Sequence, residues 1–150
     1  MKINIKQVEG IEPEVTLTYD ELTPEVEKII GFLKGHEMVL NGKSEDETVR
    51  IKTADILYIE SVDDKTFAYT KDRVVRLNYS LATLTEILED ISFLRCSKSM
   101  ILNIDKIEKL KSLPSNRIDA TMQGGEHIII SRTYAADLRS ILKKGGRGRE

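Results

Sequence analysis

The chain has 150 residues, 40% hydrophobic and 32% charged, with a net charge of −2. That is enough for one globular domain with a real core, and it is neither the composition of a disordered chain nor the strongly basic balance of a non-specific nucleic-acid binder. No apolar run approaches the roughly 20 residues of a membrane helix. The start, Met1-Lys-Ile-Asn-Ile5, alternates too strictly for a secretory signal, and the single Cys96 excludes an intramolecular disulfide framework; the expected setting is a reducing cytoplasm.

The small net charge conceals two unlike halves. Residues 1–64 hold 7 Lys+Arg against 15 Asp+Glu, whereas residues 65–150 hold 16 against 10. An acidic half joined to a basic half suggests that the second half meets an anion, although solvated faces can also differ in sign by chance.

Residues 1–8 alternate Ile3, Ile5 and Val8 with polar side chains, and residues 15–19 alternate again, so both read as strands. Thr23-Pro24 is a helix start, followed by Val26, Ile29, Ile30 and Leu33 on one face, with Gly35 as the stop. From Met38 the texture becomes strand-like. Runs at 38–40 and 48–51 flank a polar turn at 41–47, 56–59 is a compact apolar strand, and 67–70 pairs with 74–77 across Lys71-Asp72-Arg73. Ser80 caps a short helix with Leu81, Leu84, Leu88 and Ile91 facing one way. Strands at 117–123 and 126–131 surround Gly124-Gly125, a dipeptide able to supply the positive φ of a tight hairpin. Thr133 opens a last helix with Tyr134, Leu138, Ile141 and Leu142 on one side. Three parts result: an acidic strand-strand-helix arm at 1–35, a strand-rich module at 36–142 and a flexible basic tail at 143–150.

Catalytic and metal motifs fail on spacing. Gly42-Lys43-Ser44 echoes the end of a phosphate-binding loop, yet Glu37 stands where that loop needs its first glycine. His36-Glu37 is followed by Leu40 where a zinc helix needs its second His. Asp63-Asp64 reads as a loop tip. No enzyme, cofactor or metal is expected.

The informative stretch is Phe93-Leu-Arg-Cys-Ser-Lys-Ser-Met-Ile-Leu-Asn103. Hydroxyls and cations inside an apolar run are costly to bury, so the run must surface briefly, and there it can present them to a polyanion. Together with Asp55-Ile-Leu-Tyr-Ile-Glu-Ser61, the hairpin after it, Ser80-Leu-Ala-Thr-Leu84, Ile107-Glu-Lys-Leu110 and Ile128-Ile-Ile-Ser-Arg132, it resembles the LytTR family of bacterial DNA-binding domains. The resemblance covers about two-thirds of the chain and is nearest to the short stand-alone members without a receiver domain.

The resemblance implies a mainly β (α+β) fold: an elongated antiparallel module with short helices, here preceded by the strand-strand-helix arm. It implies a sequence-specific transcription regulator whose loops enter the major grooves of double-stranded DNA. Two copies would bind paired half-sites as a homodimer, with the arm a candidate dimer surface and no membrane insertion. Base contacts fall to Lys65 in a loop spanning 63–66, to Lys98, and to Arg132, whose fork of donors suits guanine O6 and N7. Phosphate contacts fall to Ser97 and Ser99, with Arg95, Lys71, Arg73 and Arg117 beside them. Simpler roles compete: Arg132 capping a carbonyl or pairing with Asp137, Lys98 as a solvated strand residue, Asn103 bonding backbone at a strand end, Cys96 as a small buried hydrophobe. The rival function is a protein-interaction or ligand-sensing module that keeps the fold without binding DNA.

Overall fold

Thr23 and Pro24 start the first helix as their chemistry requires. In the computed structural model, which describes residues 1–89 and 91–145, α1 runs Pro24–Glu37. The Thr23 hydroxyl accepts a hydrogen bond from the Val26 N–H at 3.2 Å, and Glu25 and Glu27 occupy the first turn, where the helix dipole favours acids. The helix passes through Gly35 and ends two residues later, where the Met38 N–H closes on the Lys34 carbonyl at 3.0 Å. Gly35 is thus tolerated inside the last turn rather than ending it.

The next five strands form hairpins. β1 (Val39–Ser44) and β2 (Glu47–Lys52) meet at Glu45-Asp46, with φ of 49° and 70°. β3 (Tyr58–Val62) and β4 (Lys65–Tyr69) meet at Asp63-Asp64, with φ of 50° and 64°. Two successive left-handed residues match the strand twist in a two-residue hairpin loop, and Asp tolerates that conformation better than most side chains. Both turns are tighter than the sequence suggests. Gly42-Lys43-Ser44 lies inside β1, and a Cβ on Gly42 would sit 2.7 Å from the Arg76 carbonyl, so the glycine is there for close strand approach. β5 (Val74–Leu77) follows, then α2 (Leu81–Ile87), whose first turn is capped by Ser80 accepting from Thr83 N–H at 3.0 Å.

β6 (Phe93–Arg95) and β7 (Met100–Asn103) complete a seven-stranded antiparallel sheet in the order β2-β1-β5-β4-β3-β7-β6. A second sheet, β10-β9-β8, is formed by β8 (Ile107–Leu113), β9 (Arg117–Met122) and β10 (His127–Ile130), and α3 (Arg132–Gly145) closes the fold. In the 123–126 turn only Gly125 takes positive φ, at 92°.

Strand β7 faces two cores. Ile101 belongs to the core under α2, with Ile59, Ala68, Val75, Leu84 and Leu88. Leu102 belongs to the core between the sheets, with Cys96, Ile118, Ala120, Met122, Ile130 and Leu138. Successive side chains on a strand point to opposite faces, so one apolar strand serves both. On α3 the buried residues are Ala135 and Leu138, while Ile141 is 39% exposed instead of joining the apolar side.

The two strands expected at 1–8 and 15–19 are not formed. Residues 1–23 form no helix or strand, with a turn at Glu9-Gly10 and a bend at Asp20-Glu21, enter no ladder, and leave Ile3 75% and Ile5 92% exposed. An isolated pair of strands with no surface to bury against is at best marginal in water. α1, by contrast, packs on a single 3-10 turn, Thr53–Asp55, and on α3, so it sits with the module rather than with the segment before it. The tail expected from 143 begins inside α3; residues 146–150 lie outside the described residues.

Candidate nucleic-acid interface

The antiparallel order decides which turns share an end of the long sheet. β3 and β6 run one way and β4 and β7 the other, so the β3–β4 and β6–β7 turns fall at the same end. The β4–β5 turn falls at the opposite end.

The β6–β7 turn is held by its own chain. Cys96 N–H donates to the Met100 carbonyl at 3.0 Å, and Ser99 N–H donates to the Ser97 hydroxyl at 3.2 Å. Arg95 turns its guanidinium inward: Nε donates to the Ser97 carbonyl at 2.9 Å and Nη2 to the Lys98 carbonyl. A planar fork on two successive carbonyls fixes the loop more firmly than either bond alone. Arg95 thus has a positioning role within its own turn that occupies two of its five donors, and the phosphate contact expected of it would fall to the others. Cys96 is fully buried beneath, and burial pushes its thiol up to about 12, so it serves as an inert apolar anchor. Lys98 and Ser99 are exposed and Ser97 is half-buried.

Two backbone hydrogen bonds join this turn to its neighbours. Ser61 N–H donates to the Ser99 carbonyl at 2.8 Å, tying it to β3 just before Asp63-Asp64. Ser131 N–H donates to the Cys96 carbonyl at 3.1 Å, tying it to the start of α3. The expected loop at 63–66 shrinks to Asp63-Asp64, and Lys65 is the first residue of β4, opposite Val62. Lys65, Lys98 and Arg132 thus stand on three connected segments at one end of the molecule, each exposed.

Arg132 opens α3, one position before the expected start at Thr133. The Tyr134 and Ala135 N–H groups turn back onto the Ser131 carbonyl at 3.1 and 2.8 Å. No acid occupies the first turn, and among the described residues Arg132 pairs with no carboxylate, Asp137 included. A cation at a helix N-terminus opposes the helix dipole and costs a few tenths of a kcal/mol. The same corner becomes favourable once an anion arrives, since cation and helix end then attract it together.

The remaining candidates divide. Arg117 begins β9 next to the register position of Ser131, so it shares this end, with its Nε donating to the Pro114 carbonyl at 3.3 Å. Lys71 and Arg73 do not share it. They lie in the β4–β5 turn, organised by the Thr70 hydroxyl, which accepts from Arg73 N–H at 3.1 Å, at the far end of β4. Five residues of strand separate the two ends by roughly 15 Å. Asn103 takes the structural role: buried, its Nδ2 donates to the Ile56 carbonyl at 2.9 Å and its Oδ1 accepts from Asp105 N–H at 3.0 Å. Among the described residues, no group of three or more His, Cys, Asp or Glu is placed to hold a metal, and no helix is long and apolar enough to cross a membrane.

The family model for the LytTr DNA-binding domain matches residues 46–143. The chain belongs to the LytTR family. A solved LytTr DNA-binding domain from Bacillus cereus superposes on it with a TM-score of 0.66 at 27% identity, covering 69% of this chain and 95% of that one. The chain is also similar to the sensory transduction protein LytT of Bacillus cereus, 29% identical over 99 residues, and to that of Bacillus subtilis, 27% identical over 97. These alignments cover 66% and 65% of this chain but 40% of each relative, so it matches about two-fifths of their length. The matched region begins after β1, which this LytTR sheet nevertheless places between β2 and β5.

The sequence holds no signal for the Ser61–Ser99 and Cys96–Ser131 bonds, because backbone groups are common to every residue. The inward fork of Arg95 was likewise invisible.

Proposed function

We propose that this LytTR protein is a sequence-specific transcription regulator of the cytoplasm that reads the major groove of double-stranded DNA with the turn at 97–99 and the start of α3. Lys65 orients the approach, its charge partly cancelled by Asp63 and Asp64. The observation that carries the reading is the hydrogen-bonded continuity of three segments at one end, which carries Lys65, Lys98 and Arg132 on a rigid support. A preorganised array loses little conformational entropy on binding. Arg132 reads guanine through two parallel bonds, Lys98 contacts guanine or phosphate, and the Ser97 and Ser99 hydroxyls contact phosphate. Arg117 stands beside Ser131 as a further phosphate contact. Two copies occupy half-sites about one helical turn, roughly 34–36 Å, apart.

The test is a mobility-shift titration of the full chain against the duplex upstream of its own coding sequence, with unrelated duplex as competitor at about 150 mM salt. Retention of the upstream duplex at a competitor excess that strips unrelated DNA is expected. Equal affinity for both duplexes would overturn sequence-specific reading, and no binding even at low salt would favour the interaction-module reading.

A further inference from the structure

Strand β8 pairs with β9 on one side and with nothing on the other among the described residues. Its Leu110 is 40% exposed at the rim of a groove shared with Ile104, Ile107 and Leu142. Exposed edges invite uncontrolled strand addition, and lysines on them are a common deterrent. β8 carries Lys109 and Lys111, both exposed, against the single acid Glu108. Two such edges repel each other. An acidic strand would not be repelled.

The chain contains an acidic segment with strand periodicity that enters no ladder. Residues 14–19 place Val15, Leu17 and Tyr19 on one face and Thr16 and Thr18 on the other, following Pro13, which a strand tolerates just before its start. Glu12, Glu14, Asp20 and Glu21 flank this segment, and residues 11–21 contain no cation. Val15 is 74% and Tyr19 48% exposed, in a segment with strand periodicity and no ladder. Within its own chain the segment lies along Met1, Lys2 and Asn4 at the N-terminal end of α1, whereas the β8 groove is bordered by Phe32, two turns further along that helix.

We propose that residues 14–19 of one chain add as a fourth strand to the free edge of β8 in a second copy, and that the reciprocal exchange forms the homodimer. The apolar face then extends the inner layer past Leu110, the threonines lie on the same side as Lys109 and Lys111, and the flanking acids meet those lysines. Mutual exchange closes under a twofold axis, as a dimer on paired half-sites requires. The inference rests on the two-copy reading above and gives it a surface.

The test is disulfide trapping in the full chain. Single variants Thr16→Cys or Thr18→Cys are mixed with Lys109→Cys or Lys111→Cys and oxidised; buried Cys96, its thiol held neutral up to about 12, stays silent. A covalent species of twice the mass in at least one mixture, absent when either partner is oxidised alone, is expected. Absence of that species from every mixture overturns the proposal, as does a link formed only within one chain when both cysteines are placed together. Light scattering supplies a second readout. Lys109→Glu with Lys111→Glu should weaken the dimer at least tenfold, and Glu12→Lys with Glu14→Lys should restore it. Failure of that rescue overturns the pairing. Binding to a single half-site, measured on the same variants, reports separately on DNA reading: if it is unchanged while no dimer forms in the parent chain, the strand exchange fails and the DNA reading stands.

Discussion

The two ends of the seven-stranded sheet carry similar chemistry and unlike architecture. One end has Lys98 on a tight turn and Lys65 just after another, and the other has Lys71 and Arg73 on a third. Among the described residues, the 70–73 turn bonds within itself, whereas the 97–99 turn is bonded onward to Ser61 and, through Cys96, to Ser131 and hence to α3 and the second sheet. A cation on a turn is ordinary; a cation on a turn locked to two neighbouring segments is a positioned one. The difference lies in what the turn is attached to.

The largest expected effect is on the locked end. Arg132→Ala should lose roughly 1–3 kcal/mol of discrimination, measured as the ratio of affinities for operator and unrelated duplex, with circular dichroism unchanged. Wild-type selectivity in that variant would falsify base reading by Arg132. Arg95→Ala should then cost about 1 kcal/mol of operator affinity by loosening the turn, with Arg95→Lys unable to restore it because an ammonium lacks the planar fork. Here the salt dependence decides between roles. An unchanged slope of log affinity against log salt fits positioning, whereas a drop of about one marks a direct phosphate contact.

Lys98→Ala should weaken binding severalfold and lower the salt slope by about one if its partner is phosphate. A steady slope combined with lost preference at one base pair would assign it to guanine instead. The smallest effect belongs to the far end. Lys71→Ala with Arg73→Ala should change affinity by less than about twofold at 0.1 M salt, since roughly 15 Å exceeds the screening length of about 10 Å. An effect as large as that of Lys98→Ala would mean that DNA reaches both ends, and the comparison would collapse.

Several elements were legible because their signals are local. Thr23-Pro24 and Ser80 mark helix starts through side-chain capping, and the hairpin at Lys71-Asp72-Arg73 follows from apolar alternation on either side. The ordered segments that resemble the LytTR family led to the fold that the family match and the structure share. Asn103 and Cys96 were also readable, since a lone amide or thiol at the margin of an apolar strand has few better places than a buried bond or a core. The strands expected at 1–8 and 15–19 misled, because alternation shows that a segment can pair and not that a partner is present.

The sequence by itself determined the strand periodicity, the capped helix starts, the family resemblance and the residues able to meet an anion. Those properties reside in side chains and their spacing along one dimension. The tertiary structure alone decided which of those residues stand together: it joined Lys65, Lys98 and Arg132, sent Lys71 and Arg73 to the opposite end, and turned Arg95 inward. Strand direction and backbone hydrogen bonds between distant segments made that choice, and neither is written in any single residue.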